Sequence, residues 1–163
     1  VLAEESLGQR YAEVEKQGGG PALPAAVGWL YFNTQFVDTE LTGGSDLETG
    51  SANLLAELAS AGELTIPLVL WRLIPVVTLL AAGFVLAHRR TPPDASLRDG
   101  AAHGATLVVG SLLAVAAGAL LFSAGLGEAT ASPALVQAIG LAGVVYPLVC
   151  GSLGGVAAVR LVR

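Results

Sequence analysis

The sequence predicts an all-α protein, a polytopic transmembrane helix bundle carrying short external interfacial helices. Three observations predict it. The first is a set of three long apolar runs, Thr65–Ala87, Ala105–Leu126 and Pro133–Val159, of which the first contains one charge, Arg72, and the other two none. A helix crossing the roughly 30 Å hydrocarbon core needs about 20 mostly apolar residues, so each run is long enough. The second is composition: 53% of the 163 residues are apolar and 13% charged, with a mean hydropathy of +0.68. Soluble domains carry about 25% charged residues. The third is segregation of charge, since ten of the thirteen acidic residues lie in 1–64. Two regions meeting different solvents are implied: an acidic extracytoplasmic region at 1–64 with two short helices, and a transmembrane region at 65–163.

The first short helix is expected within LPAAVGWLYFNTQFV, Leu23 to Val37, too short and too polar at Asn33, Thr34 and Gln35 to cross alone. Four of the nine aromatic residues fall here, Trp29, Tyr31, Phe32 and Phe36. On a helix Trp29, Phe32 and Phe36 share one face. Trp and Tyr favour the headgroup level, where the ring is buried and its polar tip stays hydrated. The stretch reads as an interfacial or shallow re-entrant helix, ending at Asp38 and Glu40. Its functional reading is a docking surface built from Trp29, Tyr31, Phe32, Asn33, Phe36 and Asp38. The polar, Gly-rich DTELTGGSDLETG that follows reads as an external loop. A second short helix is expected over Ser51–Leu64, with Ser51 as its N-cap and Leu54, Leu55 and Leu58 on one face.

Orientation follows from the bias of Lys and Arg toward cytoplasmic loops. The His88–His103 loop carries Arg89, Arg90 and Arg98, the C-terminal tail carries Arg160 and Arg163, and GLGEATAS between the second and third spans carries no basic residue. Both basic segments lie inside if the N-terminal region lies outside. Export of that region calls for an upstream hydrophobic segment, with VLAEESLGQR as its outer end, so four spans with both termini inside are expected. The absence of Met at position 1 agrees with that expectation.

Within the spans, Arg72 lies about 10 Å of helix rise inside the first. A cation there must snorkel to headgroups or pair with a carboxylate such as Asp38, Glu40, Glu57 or Glu63. Pro75 and Pro147 interrupt helix interiors and predict kinks. The second and third spans carry small-residue stripes, Gly110, Ala114 and Gly118, and Gly143, Pro147, Gly151 and Gly155, that let backbones approach closely in a helix pair or an oligomer contact. Gln137 and Arg72 are the strongly polar side chains inside the spans.

Other chemistry finds little support. His88 and His103 lack Cys or carboxylate companions at metal-ligand spacing, so no metal is expected. Cys150 has no internal disulfide partner and reads as a small apolar residue. Glu13, Glu15, Asp46 and Glu48 read as solvated acids. No nucleophile with a base, no paired carboxylates within a span and no phosphate loop can be named, so neither catalysis nor a cofactor is expected. The net charge of −5 and the lack of a basic cluster exclude nucleic acid. The Ala-, Gly- and Val-rich, Met-free, acidic mixture points to a GC-rich genome and a salt-adapted surface, as in extreme halophiles.

GWLYFNTQFVDTEL followed by LWRLIPVVTLLAAGFVLAHR resembles an uncharacterised family of haloarchaeal multi-pass membrane proteins. The likeness covers roughly residues 23–160 and is most distinctive at Phe32, Asn33, Phe36, Val37, Asp38 and Thr39. The resemblance implies a membrane span ahead of this region and no mechanism. The functional expectation is therefore an integral membrane protein without a catalytic motif, a structural or accessory subunit that contacts the bilayer, copies of itself or other subunits. The alternative is a small transporter or channel.

Overall fold

The computed structural model describes residues 23–43, 50–92, 94–126 and 129–161. The N-terminal VLAEESLGQR, Glu13, Glu15, Asp46, Glu48 and Arg163 lie outside the described residues. In chain order the elements are α1 (Leu23–Asn33), β1 (Thr39–Thr42), β2 (Gly50–Ala52), α2 (Leu54–Ser60), α3 (Leu68–Arg90), α4 (Leu97–Ala105), α5 (Leu107–Leu121), β3 (Ala124–Leu126), β4 (Ala129–Pro133) and a last helix, α6 (Leu135–Leu161).

Three helical stretches are long and apolar enough to cross a membrane: Leu68–Arg90, Leu97–Leu121 and Leu135–Leu161. Their ends differ from the expected ones for local reasons. The first starts after Pro67, whose fixed φ suits a helix N-terminus, and runs on through His88, Arg89 and Arg90, cations that suit a helix C-terminus. The second begins eight residues before the expected Ala105, because Ser96 and Asp99 form a capping box that starts α4 at Leu97. Asp99 Oδ2 accepts from the Ser96 hydroxyl at 2.7 Å and from its backbone N–H at 2.9 Å. Most of the expected loop from His88 to His103 is thus helical. At Thr106 the helix tightens, with the Thr106 N–H donating to the His103 carbonyl and the Val109 N–H to the Thr106 carbonyl, each one residue short of α-helical spacing.

The third stretch opens as an α-turn, becomes π-helical over Ala138–Val145, and returns to α-helix at Tyr146. Pro147 has no N–H to donate to the preceding turn. The wider π-turns lie immediately upstream, so the helix passes Pro147 without a break. Pro75 likewise lies inside a continuous α3.

The all-α expectation needs correction. β1 to β4 form one antiparallel sheet in the order β2-β1-β4-β3, with Thr39 opposite Ala52 on one side and Pro133 on the other, and Ala124 opposite Ala131. The segments read as loops, DTELTGGSDLETG and GLGEATAS, supply β1 and most of β3 and β4, and β2 runs from Gly50 into the stretch expected to be helical. Each strand is five residues or fewer, and the central pair joins positions about ninety residues apart. Ser51 belongs to β2. The helix after it is shorter than expected and is capped by Asn53, whose Oδ1 accepts from the Ala56 N–H at 3.0 Å.

The sheet, α1 and α2 sit as a cap where α3 begins and α5 ends. Trp29, Leu41, Ala129 and Ala131 form one buried cluster between α1 and the sheet. Phe32, Val37, Val115, Ala134, Ala138 and Ala142 form a second, joining the cap to α5 and α6. Phe122 packs against both. At the other end of the helices α6 is the central element, with 39% of its apolar window buried against 11% for α3 and 17% for Leu97–Leu121.

Candidate functional site

The aromatic stretch folds inward more than a surface-lying helix would. Trp29 and Phe32 are 1% and 2% exposed, whereas Tyr31 and Phe36 are about half exposed. The Trp29 Nε1–H donates to the Phe122 carbonyl at 2.6 Å, and the Phe122 ring lies so close over Gly28 that a Cβ there would run into it. Tyr31 and Phe32, and Phe32 and Phe122, meet edge to face at 5.9 and 6.4 Å.

Asn33, fully buried, is the hub of the cap. Its Nδ2 donates to the Val37 carbonyl at 2.8 Å and to Thr39 Oγ1 at 3.3 Å, and its Oδ1 accepts from the Leu55 N–H at 3.2 Å. Its carbonyl accepts from Asn53 Nδ2 at 3.1 Å. One side chain therefore ties the end of α1 to β1 and to the start of α2. Asp38 ties the cap to the bundle. Its N–H donates to Gln137 Oε1 at 2.8 Å, Gln137 Nε2 donates to Asp38 Oδ2 at 3.2 Å, and the Ala134 N–H donates to the Asp38 carbonyl at 2.9 Å.

Phe36 closes the turn after α1 with φ 60°, the left-handed region that non-glycine residues rarely occupy. That conformation puts its ring beneath the Arg72 guanidinium, 4.0 Å from Cζ to the ring centroid, a cation–π contact. Among the described residues Arg72 has this partner and no carboxylate. Among the described residues three buried donors find no acceptor: Arg72 Nε, Trp71 Nε1 and Gln35 Nε2. Gln35 is 1% exposed, although it stands between two polar or exposed neighbours in the sequence. It lines a cavity of about 120 Å³ together with Phe32, Leu79, Ser111, Gly118 and Phe122.

The glycine stripes divide by location. Gly151 and Gly155 face α4, where Gly100 and Gly104 repeat the same four-residue spacing, and the two backbones touch. A Cβ on Gly155 would overlap the Gly100 carbonyl, and one on Gly104 would overlap the Gly151 carbonyl. Gly83 of α3 meets Gly151, and Gly154 meets Leu80 and Phe84. Gly143 abuts the Leu112 side chain. On α5, Gly110 has open space where a Cβ would go, Gly118 looks onto the Phe32 and Phe122 rings, and Ala114 lines the same cavity as Gln35. Sequence reasoning missed Gly100 and Gly104 because Arg98, Asp99 and His103 surround them. It missed Gln35 because nothing local distinguishes it.

The two histidines are engaged separately. His88 stacks on Phe84 at 6.0 Å, and His103 Nδ1 lies 2.8 Å from the Asp99 carbonyl. No group of three or more His, Cys, Asp or Glu that could hold a metal occurs among the described residues. Cys150 is buried in α6.

The sequence matches the family of unknown function DUF7978 over residues 2–162, and the chain belongs to that family. No match is found among curated proteins or solved structures.

Proposed function

We propose that this is an integral membrane protein that acts without catalysis, as a structural or accessory subunit of a membrane complex or of a homo-oligomer. The observation that carries the reading is the belt of exposed apolar side chains around the helices, including Val69, Leu73 and Val77 on α3, Val109 and Leu113 on α5, and Leu153 on α6. Contiguous apolar surface of this extent demands hydrocarbon or partner helices rather than water. Arg89, Arg90 and Arg98 cluster at the end of the bundle away from the cap, so the positive-inside bias puts the cap on the external face and the α3–α4 turn in the cytoplasm.

On this reading the half-exposed Tyr31 and Phe36 are the docking surface, and Trp29, Phe32, Asn33 and Asp38 hold it rigid from beneath. Arg72 fixes Phe36 in place. The transporter or channel alternative draws on the space between α3 and α5, where Gln35 stands at one end and Arg90 at the other, and would show as solute flux in proteoliposomes.

Mild-detergent extraction from the native membrane, followed by sizing and mass spectrometry, tests the subunit reading. The chain is expected to travel with a fixed set of other membrane proteins or as a closed oligomer. Migration as a lone monomer would overturn it.

A further inference from the structure

Of the stripe on α5, Gly118 looks onto Phe32 of α1, and Gly110 has open space where a Cβ would go. Gly110 and Ala114 border a groove shared with α3. A half-open cavity of about 120 Å³ at Gln35 and an open groove of about 580 Å³ at Leu86, Arg90, Thr106 and Gly110 have Ser111 and Ala114 in common, so they adjoin along the same side of α5. On the α3 side Arg72, Leu79 and Leu86 recur every seven residues and fall on one face of the helix. Leu79 lines the cavity and Leu86 the groove. Arg72 stands two turns beyond Leu79 on that same face. From Arg72 to Leu86 the helix rises about 21 Å, longer than the roughly 15 Å of one hydrocarbon leaflet.

Two observations at the cap end point to an occupant. Gln35 is 1% exposed, lines the cavity at the cap end, and its Nε2 has no acceptor among the described residues. Next to it in the chain, Phe36 carries the Arg72 guanidinium, whose Nε–H also lacks an acceptor. Both unfilled groups are donors and one is a full cation, so the missing group is rich in acceptor oxygens and anionic. Along α5 the wall is mostly Leu, Ala, Gly and Val, broken by Ser111, with Thr106 and Arg90 at the far end, which suits a hydrocarbon chain along its length.

We propose that the groove between α3 and α5 seats one anionic phospholipid, with its phosphate at Arg72, a glycerol ester or ether oxygen at the Gln35 amide, and one chain lying along Ala114 and Gly110. The inference rests on the membrane reading above. The lipid would set acceptor oxygens beside the orphaned donors and cover the α5 face at Gly110 and Ala114, serving as part of the folded unit rather than as solvent.

The test uses full-length protein taken from the membrane fraction, delipidated in detergent and titrated with phosphatidylglycerol, or with diacylglycerol as the phosphate-free control. Recovery from the membrane fraction reads the membrane reading, and the titration reads this one. Wild type should bind one phosphatidylglycerol per chain in preference to diacylglycerol. Arg72→Gln should weaken phosphatidylglycerol about tenfold and leave diacylglycerol unchanged, as expected for loss of one charge-assisted hydrogen bond. Gly110→Leu, which places its side chain in the groove and meets no atom within 4 Å at its Cβ, should weaken both while leaving the circular dichroism spectrum unchanged. Absence of a one-to-one complex, equal affinities across the three proteins, or an isoprenoid quinone copurifying in place of phospholipid would each overturn the proposal.

Discussion

Replacing Gly155 by leucine is expected to force α4 away from α6 and to cost the folded state about 3 kcal/mol, the upper part of the range for overpacking a tight interior. A Cβ there would overlap the Gly100 carbonyl oxygen and stand 2.8 Å from its carbon and 3.2 Å from the Gly104 nitrogen. These are backbone atoms, which cannot rotate aside as a side chain would. The helices would have to move as bodies, and α6 also touches α3 through Gly154 and Gly151, so no direction of retreat is free. Within hydrocarbon no hydrophobic drive holds helices together, and close van der Waals approach is what remains. Gly110→Ala is the matched control. No atom lies within 4 Å of the added Cβ, and alanine gains up to about 1 kcal/mol over glycine in a helix interior. Melting temperature and elution profile in one detergent should therefore move in opposite directions for the two variants. Equal melting of Gly155→Leu and wild type would mean that α4 and α6 are not in backbone contact.

Asn33→Leu should be at least as damaging, for a different reason. The substitution keeps the branched shape and the number of side-chain heavy atoms, but it strands the Val37 carbonyl, the Thr39 hydroxyl and the Leu55 N–H in a buried place. Each buried polar group left without a partner costs about 1–3 kcal/mol, so the three together put the loss at about 3 kcal/mol or more. The loss is local to the cap. Amide exchange at residues 50–60 should speed up well before exchange in α6 changes, because the hydrogen bonds of Asn33 run to β1 and to the start of α2. Wild-type protection of α2 in this variant would show that Asn33 is not the cap's hub.

The long apolar helices were legible because three nearly uncharged runs of twenty or more residues stand out in a chain this short, and their length needs no partner to be seen. Their ends were less so. Ser96 and Asp99 carry a capping box in plain view, yet the charges around them read as loop, which hid the Gly100 and Gly104 spacing that meets Gly151 and Gly155. The sheet was illegible for a stronger reason. Its strands are three to five residues long, built mostly of Gly, Ala, Ser and Thr with no run of large apolar side chains, and the pairing of Thr39–Thr42 with Ala129–Pro133 is a property of the tertiary fold rather than of either segment. Asn33, Thr34 and Gln35 marked the aromatic stretch as too polar to cross a membrane, which agrees with a helix that ends at Asn33. Their polarity did not say that all three would be buried, nor that Asn33 would be fully engaged while Gln35 keeps an unpaired donor.

Cysteine labelling in intact cells tests the central claim most directly, that the cap and the α3–α4 turn lie on opposite sides of a membrane with the cap outside. Cys150 is the sole native cysteine and is buried, so a Cys150→Ala background is clean. Thr42 on β1 and Asp94 in the α3–α4 turn are both exposed and stand at opposite ends of a 23-residue helix about 34 Å long. A membrane-impermeant maleimide should label Thr42→Cys in intact cells and Asp94→Cys only after permeabilisation. Labelling of Asp94→Cys in intact cells, with or without Thr42→Cys, would contradict it.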